Sequence, residues 1–92
     1  MATTQLAAGT SVTNSSDIVV SDSPVKVGLF VASGAVPSDA VFEILSDTPG
    51  SGDNIIGRLG GGTTELVISG PGTYRVRRNY SAGVSVGVYS EP

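Results

Sequence analysis

The 92-residue sequence predicts an all-β fold, a two-sheet antiparallel β-sandwich of about seven strands. Three observations lead there. The β-branched residues are gathered into short runs in which apolar and polar side chains alternate, as in a strand with one dry and one wet face. Thirteen glycines, together with Pro, Ser, Asn and Asp, separate those runs at short and regular intervals. No stretch carries the apolar spacing of an amphipathic helix over more than one turn.

Taken in order, residues 1–10 are small and polar with Leu6 as the one apolar anchor. They read as a flexible or partner-contacting N-terminal arm, or as a frayed first strand, ahead of a single sandwich domain over residues 11–92. Val12 and Ile18-Val19-Val20, divided by Asn14-Ser15-Ser16-Asp17, predict one kinked strand or two short ones. Val25 to Val31 is the clearest strand, with Val25, Val27, Leu29 and Val31 on one face and Lys26, Gly28 and Phe30 on the other. Phe30 on the wet face marks either a ring packed under a loop or a contact with another chain. Ala32 to Asp39 turns the chain at Gly34 and Pro37.

Ala40 to Leu45 reads as a strand with Phe42 and Ile44 inward and Glu43 outward, although Ser38 and Asp39 also suit a helix cap. Strand is preferred, because no second apolar helical turn follows. Asp47 to Asn54 is a loop of turn formers, Ile55 to Leu59 a short strand, and Gly60-Gly61-Gly62 a flexible hairpin connection. The last third then reads as a meander of three strands, Thr63 to Ser69, Gly72 to Arg78 and Val84 to Ser90, with turns at Gly70-Pro71-Gly72 and Ser81-Ala82-Gly83.

Composition narrows function. A chain of this length forms one domain that buries roughly 60–65% of its unfolded surface. It contains no Cys, so neither disulfides nor thiolate chemistry exist, and no His, the commonest general base and transition-metal ligand. Trp is absent and Tyr and Phe are few, which leaves little for a stacking platform. A net charge of −3 speaks against nucleic acid, since phosphate neutralisation needs surplus Lys and Arg. No signal-peptide pattern or membrane-length apolar run occurs, and the start at Met1 suggests a whole chain. No cofactor and no membrane partner are expected.

Gly72-Thr73-Tyr74-Arg75-Val76 resembles the late strand of immunoglobulin-like domains, where Gly-x-Tyr-x-Cys precedes the final hairpin; Val76 stands in the Cys place. Leu66-Val67-Ile68 is similar to the strand before it and Val84 to Ser90 to the closing strand. The resemblance implies an immunoglobulin-like β-sandwich in which the Tyr74 hydroxyl ties back to the chain at a corner. The early-strand Cys is missing, at Val27 or Leu29, and Phe42 takes the place of the core Trp. In kind, a small Cys-free β domain rich in Gly, Ser, Thr and Val is also similar to the decoration (cement) proteins of tailed-bacteriophage heads, and to immunoglobulin-like modules of other phage virion proteins.

Several constellations have plainer readings. Gly57 to Thr64 lacks the Lys and the following helix of a phosphate loop. Asp47, Asp53 and Asn54 do not have the spacing of a calcium loop. Asn14-Ser15-Ser16 and Asn79-Tyr80-Ser81 match the glycosylation sequon, a pattern that arises easily by chance. Serines have no His to activate them and only Lys26 as an alternative base, and no two carboxylates are marked as convergent, so no enzyme is expected. Arg75, Arg77 and Arg78 hold three of five positive charges, with Arg75 and Arg77 on one face; a solvated face and a contact role are both open.

Together these lead to an expected structural virion protein. It is made in the host cytoplasm and sits on the capsid exterior, stabilising the lattice through contacts with capsid protein or another virion protein. Self-association, as a trimer at a symmetry axis, belongs to that expectation. Phe30, Arg75, Arg77 and Arg78 are the expected partner-binding residues. The alternative is a small adhesion or carbohydrate-binding module with Tyr80 and Tyr89 as stacking residues.

Overall fold

A computed structural model describes the backbone of residues 2–48 and 52–92 and the side chains of residues 2–46 and 54–92. Nine strands are formed among the described residues: β1 (Thr3–Gly9), β2 (Thr13–Asn14), β3 (Ile18–Val20), β4 (Val25–Val31), β5 (Val41–Thr48), β6 (Gly52–Leu59), β7 (Glu65–Ile68), β8 (Gly72–Tyr80) and β9 (Val86–Glu91). They make two antiparallel sheets, β1-β9-β4-β7 and β2-β8-β5-β6, with β3 also on β8. The two-sheet β-sandwich stands as expected.

Pairing follows a simple rule when β2 and β3 are counted as two halves of one broken strand. The first strand pairs with the last, the second with the last but one, and so inward to the β5–β6 hairpin. That is one long two-stranded ribbon. Rolling it up brings β9 beside β4 and β8 beside β5, which closes both sheets. A rolled ribbon of this kind is a jelly roll, the double-sheet arrangement of two Greek keys. In an immunoglobulin domain the last strand pairs with the one before it. Here β8 and β9 lie in opposite sheets.

The meander expected over the last third is therefore corrected. β7, β8 and β9 are strands, but none pairs with another; each finds its partners in the first half of the chain. Likewise Gly60-Gly61-Gly62 joins strands of opposite sheets instead of closing a hairpin. It passes close under the 32–39 turn, where a Cβ on Gly61 would lie 2.5 Å from the Pro37 carbonyl oxygen. Only glycine allows two backbones that near each other.

Local signals otherwise hold. Residues 41–45 extend as a strand, the first part of β5, and the kinked region is two short strands. In the break, buried Ser15 replaces the missing ladder: its N–H donates to the Val76 carbonyl at 2.8 Å, and its hydroxyl accepts from the Val76 N–H at 2.9 Å. Residues 3–9, expected as an arm or a frayed first strand, run as β1 on the edge of the first sheet, with two register shifts against β9. The loop expected at 47–54 is shorter than its composition suggests, since β5 and β6 pair out to Thr48 and Gly52. The Asp47 and Asp53 side chains of the calcium reading lie outside the described residues. The Tyr74 hydroxyl does bond the Gly70 carbonyl, the corner that the resemblance implied.

The core lies between the sheets. Val27 and Leu29 of β4 and Val86 and Val88 of β9 face Phe42 and Ile44 of β5, Val76 of β8, and Ile18 and Val20 of β3. These are the inward members of the alternating runs, so the period-two pattern directly sets which side chains are dry.

Candidate functional site

The two sides of the sandwich differ. On one side the edges are stitched together: the Ser16 N–H donates to the Gln5 carbonyl at 2.9 Å, joining the β2–β3 break to β1. The Ser16 hydroxyl meets Gln5 Oε1 at 2.6 Å, and Gln5 Nε2 reaches the Ser90 hydroxyl at 2.7 Å. On the other side β6 and β7 are the free edges of their sheets. A cleft of about 310 Å³ opens between them, lined by Ile44, Ile56, Leu66, Ile68 and Tyr74.

This open side is apolar at its rim. Ile56 and Val67, which line the cleft, are 52% and 64% exposed, and Ile55 next to them on β6 is 48% exposed. Ile56 owes its position to a bulge, because Ile44 pairs with Gly57 and Leu45 with Ile55, leaving Ile56 as the extra residue. Edge strands are usually kept short, broken or charged to prevent pairing with another chain. β1 is broken by its register shifts and β7 is only four residues long. β6 is the longer of the two free edges at eight residues, with the bulge at Ile56 as its one register irregularity among the described residues and Asp53 and Arg58 as its charged residues.

The outer face of the second sheet is a charge ladder. Glu43 of β5 sits in register between Arg58 of β6 and Arg77 of β8. Arg77 Nη2 donates to Glu43 Oε1 at 2.6 Å, while Arg58 Nη2 stands 4.0 Å from Oε2. The Arg77 hydrogen bond, assisted by one from Asn79 and by the arginine charges, holds the Glu43 carboxyl below its ordinary pKa. Arg75 Nε lies 3.2 Å from Asp17 Oδ1. Both arginines thus share their face with a carboxylate of the same chain.

A depressed carboxylate pKa contributes stability that is complete above the ordinary value and is lost as pH falls through the depressed one. The melting temperature is therefore expected to fall from about pH 4.5 downward, in part through Glu43. Glu43→Gln should flatten that fall when melting is followed by circular dichroism; an unchanged slope would contradict the assignment.

Arg78 points the other way. With Tyr74 and Val76 it belongs to the inner face of β8, and it is 4% exposed. Its guanidinium donates to three backbone carbonyls: Ser11 from Nε at 2.8 Å, and Ala7 and Val86 from Nη1 at 3.0 and 2.8 Å. Burial pulls its pKa down. The expected contact residues are thus spread over three places. Arg75 and Arg77 lie on the outer face of the second sheet, Phe30 on the outer face of the first, and Arg78 in the interior, where almost no surface remains for a partner. Tyr80 and Tyr89 are also apart, on β8 and β9 in opposite sheets.

On the outer face of the first sheet, Lys26 Nζ stands 3.2 Å from Glu91 Oε1 and 3.5 Å from Glu65 Oε2. The Tyr89 hydroxyl donates to Glu65 Oε2 at 2.6 Å. These bonds raise the pKa of Lys26, chiefly through Glu91, and that of Tyr89, chiefly through Glu65, and lower that of Glu65, chiefly through Tyr89. Lys26, considered as a partner for serine, is thus held by carboxylates. Among the described residues no group of three His, Cys, Asp or Glu side chains is placed to hold a metal, and no helix is long and apolar enough to cross a membrane. No family model, curated protein or solved structure matches the chain.

Sequence reasoning missed the open edge. Ile55-Ile56 was visible as an apolar pair, but that β6 forms a free edge follows only from the sheet order. Arg78 was within reach, because the alternation of Tyr74, Val76 and Arg78 places it on the dry face.

Proposed function

We propose that this chain is a structural attachment module that decorates the outside of a virus particle, binding its shell through the open β6–β7 side. The carrying observation is the apolar rim of that side, where Ile56 of β6 and Val67 of β7 stand exposed at the cleft between two free edges. An edge of this kind offers both unpaired backbone groups and apolar area, the two contributions that strand addition uses. The jelly-roll connectivity adds an analogy of fold alone, since viral capsid domains use it and so do lectin domains and cupins. Weak individual contacts suffice when copies repeat over a symmetric lattice, because each neighbouring contact raises the effective concentration of the next.

The test uses purified particles of the virus that encodes the chain, stripped of it and then re-supplied with wild-type protein or with Ile56→Asp plus Val67→Asp. Wild type should co-sediment with the particles. The double variant should lose about tenfold or more in affinity, because charge replaces two apolar contacts at an interface centre. Its melting temperature should stay close to that of wild type, since both side chains are solvent-exposed. Equal rebinding of the two proteins would place the contact elsewhere, and absence of the chain from particles would remove the reading.

A further inference from the structure

We propose that the outer face of the first sheet is a carbohydrate-binding platform, formed by the rings of Tyr89 and Phe30 and rimmed by Lys26, Glu65 and Glu91, which takes a pyranose by one of its apolar ring faces. This surface is distinct from the β6–β7 cleft.

The platform is built by two reciprocal cross-strand pairs. Tyr89 of β9 lies opposite Gly28 of β4, and Phe30 of β4 lies opposite Gly87 of β9. A Cβ placed on Gly28 would sit 2.6 Å from each of Tyr89 Cε1, Cζ and Oη. Equal distance to three such atoms requires an approach onto the face of the ring, so the ring lies flat across the β4 backbone. Phe30 reaches over Gly87, where an added Cβ would meet Phe30 Cζ and Cε1 and, at 2.7 Å, the Leu6 carbonyl oxygen. Glycine at both positions leaves room for the opposing ring, and a cross-strand aromatic on glycine also stabilises the sheet. Phe30 and Tyr89 are each partly exposed.

Polar groups stand at one end of this floor. The Tyr89 hydroxyl is anchored on Glu65, and Lys26 bridges Glu65 and Glu91 with its ammonium 5.8 Å from the Tyr89 ring centroid. Flat rings with half-exposed carboxylates and an ammonium beside them match a ligand that is apolar on its face and polar around its edge. A pyranose has that form: ring C–H groups project from its face, and its equatorial hydroxyls radiate where a carboxylate accepts and an ammonium donates. The anchored ring is already ordered, so binding costs little further side-chain freedom.

Other ligand classes fit less well. Two carboxylates at the rim, in a chain of net charge −3, disfavour the phosphates of a nucleotide. A protein partner needs about 800 Å² on each side, far more than two partly covered rings provide.

The test is an NMR titration of the isolated protein with cellobiose, alongside sorbitol, which carries hydroxyls without a ring face. Saturable shifts of the Tyr89 and Phe30 ring resonances are expected with cellobiose and not with sorbitol. Saturation transfer should be strongest to the sugar's ring C–H protons. Tyr89→Ala and Phe30→Ala should each weaken binding by about fivefold or more, whereas Tyr89→Phe, which keeps the ring, should change it by about twofold at most. The same spectra report whether each variant is folded, and either alanine variant alone is decisive. Absence of shifts with cellobiose, equal shifts with sorbitol, or shifts confined to another surface would each overturn the proposal. So would ring shifts that track protein concentration without sugar, which would make a second copy of the chain the occupant. Because no particle takes part, failure here leaves the attachment reading untouched.

Discussion

Arg78→Met is expected to destabilise the domain by about 3–5 kcal/mol, measured as the loss of unfolding free energy in urea. Methionine keeps most of the aliphatic stem, so the loss reads the guanidinium. Removing it leaves the Ala7, Ser11 and Val86 carbonyls without their partner in the space that the 4%-exposed side chain filled. An unsatisfied buried acceptor costs about 1–3 kcal/mol, and a bond to a charged donor contributes more than a neutral one. The three carbonyls belong to the end of β1, the turn after it and the start of β9, while Arg78 itself is on β8. One side chain therefore joins both sheets at one end of the sandwich. Arg78→Lys keeps a charge but not the planar fork, so it should recover only part of the loss. A change under about 1 kcal/mol for Arg78→Met would mean that water replaces the guanidinium freely.

Phe42→Ala is the second large effect, at about 3–5 kcal/mol. Phe42 is fully buried at the middle of the second sheet, in register between Leu59 of β6 and Arg78 of β8. Truncation removes the apolar area of the ring and leaves a cavity that a small β-sandwich core has few side chains to fill. Ile55→Ala, on the exposed edge, should stay within about 0.5 kcal/mol. The contrast is read from the same urea curves, and equal losses would contradict the division between buried core and exposed edge. A domain of this size has about 5–15 kcal/mol in total, so either buried substitution brings it toward unfolding at physiological temperature.

Strand positions were legible because alternation is a local property. Val25 to Val31 and Gly72 to Arg78 carry it in their residue types, and both form strands. Pairing partners were not legible. Any alternating run can pair with any other of matching face, and the choice is settled by loop reach and core volume across the whole chain. The turns at Gly70-Pro71-Gly72 and Ser81-Ala82-Gly83 show the difference. Both reverse the chain, with the Val84 N–H donating to Ser81 O at 3.0 Å in the second. Each nevertheless carries the chain into the other sheet, an outcome that turn chemistry alone does not distinguish from a hairpin. Tyr74 was legible through a pattern of fixed spacing, since its hydroxyl reaches only four residues back.

The surfaces were legible by residue and not by grouping. Phe30 stood out on a wet face, yet its glycine partner lies 57 positions away in sequence at Gly87 and is found only through the β4–β9 register. Glu43 between Arg58 and Arg77 is likewise a product of three strands meeting. Charge placement on a sheet becomes readable once the neighbours are known, because cross-strand pairs are the unit of interaction there.

Hydrogen exchange on the particle-bound chain, compared with the free chain, tests attachment through the open edge most directly. The amides of β6 and β7 that face the cleft edge, from Asn54 to Leu59 and from Glu65 to Ile68, should exchange more slowly when bound. The outer face at Arg75 and Arg77 should be unchanged. Protection confined to that arginine face, or to the outer face of the first sheet, with β6 and β7 as fast as in the free protein, would contradict the account.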